Sequence, residues 1–398
     1  MQNGSFHTTP EARLLIHVAR RTMDAARVKQ VRSLAHEELD WGKILKLAQR
    51  NGLLPLLFFH LNQNCPEVMP AEPAQFLRDY FQKNSAFNLL LSGELLSLLR
   101  MFEENEIQAV GYKGPALALT LYGNLSLRQF CDLDIIVRDV DVWRATDLLI
   151  GRGFEPHFDI PPKKRQAFIR LGYVRLFRRE AGRILVELHW RLAPRFFGAR
   201  FDEAGWWRRL TAIKIRETEV STPAAEDLLL MLSIHGAKDL WEKLEWVAGI
   251  AELVRGTDLD WQAVWKQAKW MRCERMLVLG LHLAGNLLEA PVPDEVLARI
   301  RDCPKLVERA NQIADGFFSD IAPSKGLGAQ LACHLALKDK AVDKLRYCVR
   351  LALTTTPVDW ATMQLPGPLS FAYPILRAAR LTKKYAVGAD QNTSLRSG

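Results

Sequence analysis

The spacing of apolar residues changes twice along this chain, and those changes bound what it can fold into. From Thr9 to about Leu61 apolar residues recur at helical intervals, as in Leu14, Leu15, Val18 and then Ile44, Leu45, Leu47 and Ala48. Ala74 to Glu104 continues as one long amphipathic stretch carrying Leu89, Leu90, Leu95, Leu96, Leu98 and Leu99. Past Asn105 the apolar residues fall instead into runs of strand length, at 106–112, 131–138, 173–178 and 183–190, and from Thr222 the helical interval returns. This pattern predicts an α+β fold with a small mixed sheet flanked by N-terminal and C-terminal helical regions. At 398 residues the chain also exceeds the roughly 250–300 that one core usually holds. The expected units are therefore a helical region at 1–104, an α/β core at 105–201, a helical region at 202–388 and a small, polar, frayed tail at 389–398.

Local signals refine this. Asp40 is placed to cap a helix starting at Trp41, and the three prolines within 62–73 predict a loop. Lys113-Gly114-Pro115 reads as a turn after the first strand, followed by a short helix, Ala116 to Tyr122, closed by Gly123. Asp141 to Gly153 reads as a helix, 161–170 as a basic connector, and 173–178 with 183–190 as a hairpin. Thr222 is a candidate cap with Pro223 at the first helical position and Glu226 near the capping-box place. Leu228–Lys238, Leu240–Arg255, Trp261–Leu288 and Asp294–Phe318 follow as helical stretches, with no fixed-period repeat.

Composition excludes several classes. Hydrophobic residues at 48% and charged residues at 25% are ordinary globular usage, so a disordered chain is not expected. The greasiest stretch, 88–100, is broken by Ser92, Gly93 and Glu94, so no membrane span is expected. The polar first residues lack a signal-peptide layout, and the six cysteines show no paired spacing, which predicts a cytoplasmic protein with reduced, mostly buried thiols. A formal net charge of +9 favours an anionic partner such as a nucleotide, a nucleic acid or a lipid surface.

The chemistry concentrates on Asp132-x-Asp134. Residues two apart on a strand point to one face, so the two carboxylates can share a divalent cation. A chance surface pair is the competing reading, since a D-x-D arises by accident roughly once in a chain this long. Ile135-Ile136-Val137 directly after the acids favours a cation, because uncompensated charges beside an apolar strand are costly. Glu187, with His189 on its face, lies in a second apolar run, Ile184 to Trp190. Were that strand to lie beside the first, three carboxylates would converge into the ligand set of two-metal phosphoryl and nucleotidyl transfer; a lone charge protecting a sheet edge is the equal alternative. Lys113 and Gly114 at a strand-to-helix turn could cradle a phosphate, and Arg128 could grip a triphosphate bidentately; each cation taken singly reads first as solvated, and the force lies in the ordered set from 113 to 187. His235 and Lys238 share a helical face with Trp241 nearby, able to close over a nucleotide or simply to pack helices. The basic residues Lys163, Lys164, Arg165, Arg170, Arg175, Arg178 and Arg179 read first as a solvated face, the tryptophans as packing, and Arg377, Arg380, Lys383 and Lys384 as a basic C-terminal helix.

In order, a strand, the Lys113-Gly114 turn, a short helix, Tyr122-Gly123, Arg128, Asp132-x-Asp134 before an apolar run, and then Glu187-Leu-His-Trp190 resemble the uncharacterised nucleotidyltransferase family of the DNA polymerase β-like superfamily. The resemblance extends to Asp40-Trp41, Gly52 to Leu57, His235 to Lys238 with Trp241 and Trp246, Pro357 to Trp360, Leu365-Pro366 and Tyr373 to Arg380. It implies that Asp132 and Asp134 hold Mg2+, in a two-metal site, together with a nucleoside triphosphate (NTP). Glu187 would complete the metal site and help deprotonate an acceptor hydroxyl, with Lys113, Gly114, Arg128, His189 and Lys238 as the nucleotide-binding candidates. The acceptor stays open among a small molecule, a sugar, a peptide and a protein. Two departures matter: Gly114-Pro115 stands where a Gly-Ser or Gly-Gly pair is usual, removing a backbone donor, and Gly249 stands where relatives carry an acid. The Gly114-Pro115 turn favours a rival reading, an inactive nucleotide-binding sensor or scaffold, and the positive charge favours an RNA-binding protein. The enzyme reading ranks above both, and a nucleic-acid partner below an NTP.

Overall fold

The computed structural model describes residues 9–34, 36–180, 182–319, 327–338 and 340–354. The resemblance at 357–360, 365–366 and 373–380, the basic residues Arg377, Arg380, Lys383 and Lys384, and the tail at 389–398 lie outside the described residues.

Four helices open the fold: α1 (Pro10–Val18), α2 (Ala25–Leu34), α3 (Trp41–Arg50) and α4 (Leu54–Asn64). Asp40 caps α3 as its sequence predicts, accepting the Lys43 N–H at 2.9 Å. The three prolines do not make a long loop. Helix α4 runs to Asn64 and α5 (Ala71–Glu104) already starts at Ala71, because Pro73 falls in its first turn, where backbone N–H groups have no intrahelical acceptor. By length and composition α5 is the one described helix that could cross a membrane. In this fold its Leu91, Leu95, Leu98 and Phe102 are buried in the core on the sheet. Its Asn84 and Asn88 amides donate to the carbonyls of Leu125, Ser126 and Arg128 and so hold the segment that leads into the second strand.

The α/β core follows in the order β1 (Ala109–Gly111), α6 (Gly114–Tyr122), β2 (Asp132–Val137), α7 (Val142–Gly151), β3 (Glu155–Pro156), α8 (Arg165–Leu171), β4 (Val174–Arg179) and β5 (Ile184–His189). The five strands form one mixed sheet in the order β1-β2-β5-β4-β3. Among the described strands only β2 and β5 pair in parallel, with Asp134 opposite Glu187 and Ile136 opposite His189. Strand alternation puts Leu133, Ile135, Val137, Val186 and Leu188 on the face packed with α5 and α7, and the acids on the other. The predicted hairpin is β4–β5. The basic connector is more regular than expected, since residues 165–171 form α8.

Residues 202–222 depart most from expectation. They hold a short helix, α9 (Glu203–Arg208), and a second hairpin, β6 (Thr211–Ile215) with β7 (Thr218–Thr222), where a helical region was predicted. Alternation of β-branched with polar residues in Thr211-Ala-Ile-Lys-Ile215 and Thr218-Glu-Val-Ser-Thr222 carries that signal. Thr222 therefore ends a strand, and α10 (Ala225–Lys238) starts without a side-chain cap.

The remaining helices are α11 (Leu244–Gly256), α12 (Trp261–Met271), α13 (Glu274–Leu288), α14 (Asp294–Arg301), α15 (Pro304–Phe318), α16 (Leu327–Ala336) and α17 (Ala341–Leu353). Two predicted stretches are split: left-handed Arg272 (φ +59°) separates α12 from α13, and Pro304 starts α15 anew. Buried residues from α1, α3 and α4 share one core with α10 to α15. Asn51, at the end of α3, ties the two helical parts together. Its side-chain and backbone oxygens accept the N–H groups of Leu244 and Glu245, each at 3.1 Å, and its amide donates to the Phe317 carbonyl. Cys65, Cys273 and Cys333 are buried, whereas Cys131 and Cys348 are exposed, so the expectation of mostly buried thiols holds for half of them.

Trp241 is core rather than lid. It is 1% exposed and wedged between glycines of α10 and α13: a Cβ on Gly236 would lie 2.6 Å from its ring, and one on Gly280 would lie 2.8 Å away. Gly236→Ala is expected to lower stability by about 1–3 kcal/mol in urea unfolding despite the better helix propensity of alanine, because the indole cannot retreat. A neutral or stabilising result would mean that the packing relaxes.

Candidate active site

Asp132 and Asp134 project from one face of β2, and the parallel register sets Glu187 of β5 directly beside Asp134. Lys113, at the cap position of α6, donates from Nζ to Asp134 Oδ1 at 2.9 Å. His189 Nε2 lies 3.2 Å from the same oxygen and 3.1 Å from Glu187 Oε2. One potential ligand atom each from Asp134, Glu187 and His189 falls within 4.8 Å of the others, close enough for one cation. Asp134 and His189 are buried, while the Glu187 side chain is 32% exposed and so stands at the mouth. The Tyr112 ring packs edge-on against His189, with ring centres 5.5 Å apart, and Tyr173 lies against it at 6.1 Å.

The three carboxylates are not electrostatically alike. Burial disfavours the charge on Asp134, but Lys113 and His189 outweigh burial and hold its carboxyl far below the usual range. Among the described residues Asp132 has no such close partner, and burial followed by repulsion from Asp134 and Glu187 pushes it up to about 6. Burial is likewise overcome for Glu187, whose pKa is lowered by the His189 hydrogen bond, and for His189, whose pKa is raised by the hydrogen bonds to Asp134 and Glu187. For Lys113, attraction to Asp134 and Glu187 overcomes burial and raises the pKa. Three acids facing two cations leave a net negative pocket when Asp132 ionises. Oxygen donors in that arrangement are what Mg2+ takes, and the nitrogen of His189 suits it less.

Gly114 has φ +53°, and a Cβ there would lie 3.3 Å from the Asp132 carbonyl, so the start of α6 sits directly beside the start of β2. Pro115 occupies the first turn of α6, where its missing N–H breaks no helical bond but does remove one donor from the helix end.

The sequence of the chain adds a decisive observation. The family described as an uncharacterised nucleotidyltransferase matches residues 37–289. The chain belongs to that family. No curated protein matches it. The matched span runs from just before α3 to the end of α13, so it includes the sheet, the carboxylates and the helices around them.

The other candidates divide. Lys238 is brought near the cluster: its Nζ pairs with Asp239 at 2.8 Å and lies 5.8 Å from the centre of the Tyr173 ring. His235 also contacts Asp239, at 3.1 Å, and lies tilted against the Trp246 ring, while burial and the Lys113 charge push its pKa down to about 4. Arg128 is committed elsewhere. Its Nε pairs with Glu245 of α11 at 2.9 Å, both groups being largely buried, although its charge still reaches Asp132. Gly249 is buried on α11 against Leu121, away from the carboxylates in sequence and packed as core. The basic residues at 163–179 do not form one patch: Arg179 forks onto Glu94, and Arg165 and Arg175 both lie over Trp143. Sequence reasoning missed Tyr112, Tyr173 and Asp239. The first two stand at the ends of predicted strands and the third follows Lys238, but only the fold turns the two tyrosine rings toward His189 and brings Asp239 to His235, Lys238 and Tyr173.

Proposed function

We propose that this protein transfers a nucleoside monophosphate from an NTP to a hydroxyl of an acceptor, with magnesium as cofactor and pyrophosphate as the leaving group. The observation that carries the reading is the β2–β5 register, which sets Asp132, Asp134 and Glu187 side by side at the start of α6. Asp132, Asp134 and Glu187 would hold Mg2+, whose role is to neutralise charge on the reacting phosphate and leaving oxygens. Lys113 keeps Asp134 ionised and brings positive charge to the phosphate side. His189 fixes the orientation of Asp134 and Glu187 through one ring nitrogen. Glu187, the more exposed acid, takes the proton of the acceptor hydroxyl. The start of α6 at Gly114 receives phosphate oxygens, Lys238 lines the far wall beside Tyr173, and Arg128 acts on the site through its field rather than by direct contact.

Pro115 favours a second reading, a nucleotide-binding protein without turnover, because it removes a backbone donor where phosphate would sit. One experiment separates the two. Each of the four NTPs is titrated calorimetrically with and without Mg2+, and pyrophosphate is measured in parallel samples that also contain hydroxyl acceptors (sugars, a hydroxyl-bearing peptide and a cell extract), so that the transferred NMP has a recipient. Metal-dependent binding of one NTP with pyrophosphate release is the expected result. Binding without release supports the sensor, and no NTP binding under either condition sinks both.

A further inference from the structure

Away from the carboxylates, a cleft of about 590 Å3 opens where the connector after β5 meets the ends of α12 and α17. That volume suits a small-molecule ligand, for which about 300–1,000 Å3 is usual. Six of its described lining residues are arginines: Arg191, Arg195 and Arg200 from the connector, Arg272 after α12, and Arg346 and Arg350 from α17. Glu203 is the one acid among those lining residues. Guanidinium forks match phosphate oxygens two at a time, so the residue type points to phosphate more than to a generic anion.

The internal contacts orient these side chains without cancelling most of their charge. Arg191 Nη1 donates to the carbonyls of Ile169 and Gly172 at 2.7 and 3.1 Å, and its nearest ion-pair partner, Asp139, is 3.9 Å away. Arg195 donates to the Arg170 carbonyl at 3.2 Å, and Arg350 to the Arg195 carbonyl at 3.4 Å. Arg272 and Arg346 share the single carboxylate of Asp343. Arg200 lies over the ring of Trp270, which is 47% exposed. Carbonyl acceptors and a ring face hold a guanidinium in place but leave its charge for a ligand. Crowding is felt within the cleft: burial, and then the charge of Arg195, lower the pKa of Arg191.

We propose that this cleft is a binding site for a small ligand carrying two or more phosphate groups, with Arg195, Arg200 and Arg350 as its main contacts. The site is separate from the carboxylate cluster and does not depend on the transferase reading. It is nevertheless close, because Arg191 follows Glu187 by four residues and their Cα atoms are therefore within about 14 Å.

The test uses inorganic tripolyphosphate as probe, the full-length chain and excess EDTA, so that no metal can bridge the anion to the carboxylates. Calorimetry should show one equivalent bound, with affinity falling as salt is raised. Binding should be unchanged in Asp132→Asn, which keeps the Lys113–Asp134–His189 contacts, and weakened by roughly 30-fold or more in Arg200→Ala/Arg350→Ala. Both arginines are exposed, and the Arg200→Lys/Arg350→Lys variant, which keeps the charge but loses the forks, should lie between the two. Absence of metal-free binding, or binding that survives the arginine changes and fails in the carboxylate variant, overturns the proposal. A ten-nucleotide oligouridylate binding at least tenfold tighter than tripolyphosphate at equal salt also overturns it, in favour of a single-stranded nucleic acid.

Discussion

Asp134→Asn and Asp132→Asn should each lower nucleotidyl transfer by on the order of 1,000-fold, yet move stability in opposite directions. The folded protein holds Asp134 ionised through Lys113 and His189, so its pKa lies below the unfolded value of about 3.9. That contribution is fully present above this value and is lost as pH falls through and below it. At pH 7 the Asn variant leaves a buried lysine and histidine without their shared carboxylate oxygen, with an expected loss of roughly 3 kcal/mol. Asp132 is the reverse case. Burial and its acidic neighbours raise its pKa to about 6, so the folded state binds that proton more tightly than the unfolded chain does. The resulting penalty is absent below about pH 4, grows between pH 4 and 6 and is constant above. In metal-free buffer Asp132→Asn should therefore raise the melting temperature at pH 8 and leave it unchanged at pH 3.5. Adding Mg2+ should stabilise the wild type and not the variant. Equal effects of the two substitutions on stability at pH 8 would mean that the carboxylates are not arranged as described.

Glu245→Ala should be among the most destabilising single substitutions in the chain, with a loss of about 3–5 kcal/mol in urea unfolding. The carboxylate is 6% exposed, pairs with Arg128 and packs on Gly52, whose φ is +72° and where a Cβ would fall 2.2 Å from Glu245 Oε2. Removing it leaves the Arg128 guanidinium buried, with Nη1 already lacking a hydrogen-bond partner among the described residues. Burial raises the pKa of Glu245 in spite of the nearby Arg128 charge, so the pair as a whole adds little net stability, and its importance lies in the penalty for breaking it. Arg128→Met/Glu245→Leu should accordingly recover most of the loss. A Glu245→Ala variant within 1 kcal/mol of wild type would show that water reaches the pair. Because Arg128 stands four residues before Asp132 and its carbonyl receives the Asn84 and Asn88 amides, the single variant should also loosen the entry to β2 and weaken NTP binding.

Legibility differed between elements for physical reasons. The long helix, the strands carrying the acids and the β4–β5 hairpin announce themselves through periodicity, because one buried face forces apolar residues to recur at the element's own period. The β6–β7 hairpin is harder to see: Thr211 to Thr222 alternates as a strand does, but it is short and half polar, and packing against β1 and α6 completes its support. The prolines of 62–73 predict a loop because proline breaks a helix in its interior, whereas here one of them falls in a first turn. Arg128 taken singly reads as a solvated cation and becomes a phosphate candidate only through its place in the ordered set with the turn and the acids; its partner, Glu245, lies more than a hundred residues away, where no local pattern links the two.

The sequence by itself determined the class of fold, the two apolar strands with their acids and the family, since each depends on residue identity at short spacing. Tertiary structure alone decided that β2 and β5 run in parallel and adjacent, which turns two separate acidic motifs into one site. It also decided which cations serve that site, taking Lys113 and His189 and diverting Arg128. Parallel register and long-range ion pairing are settled by packing between segments far apart in the chain, and the energy of such contacts is written in no single stretch of it.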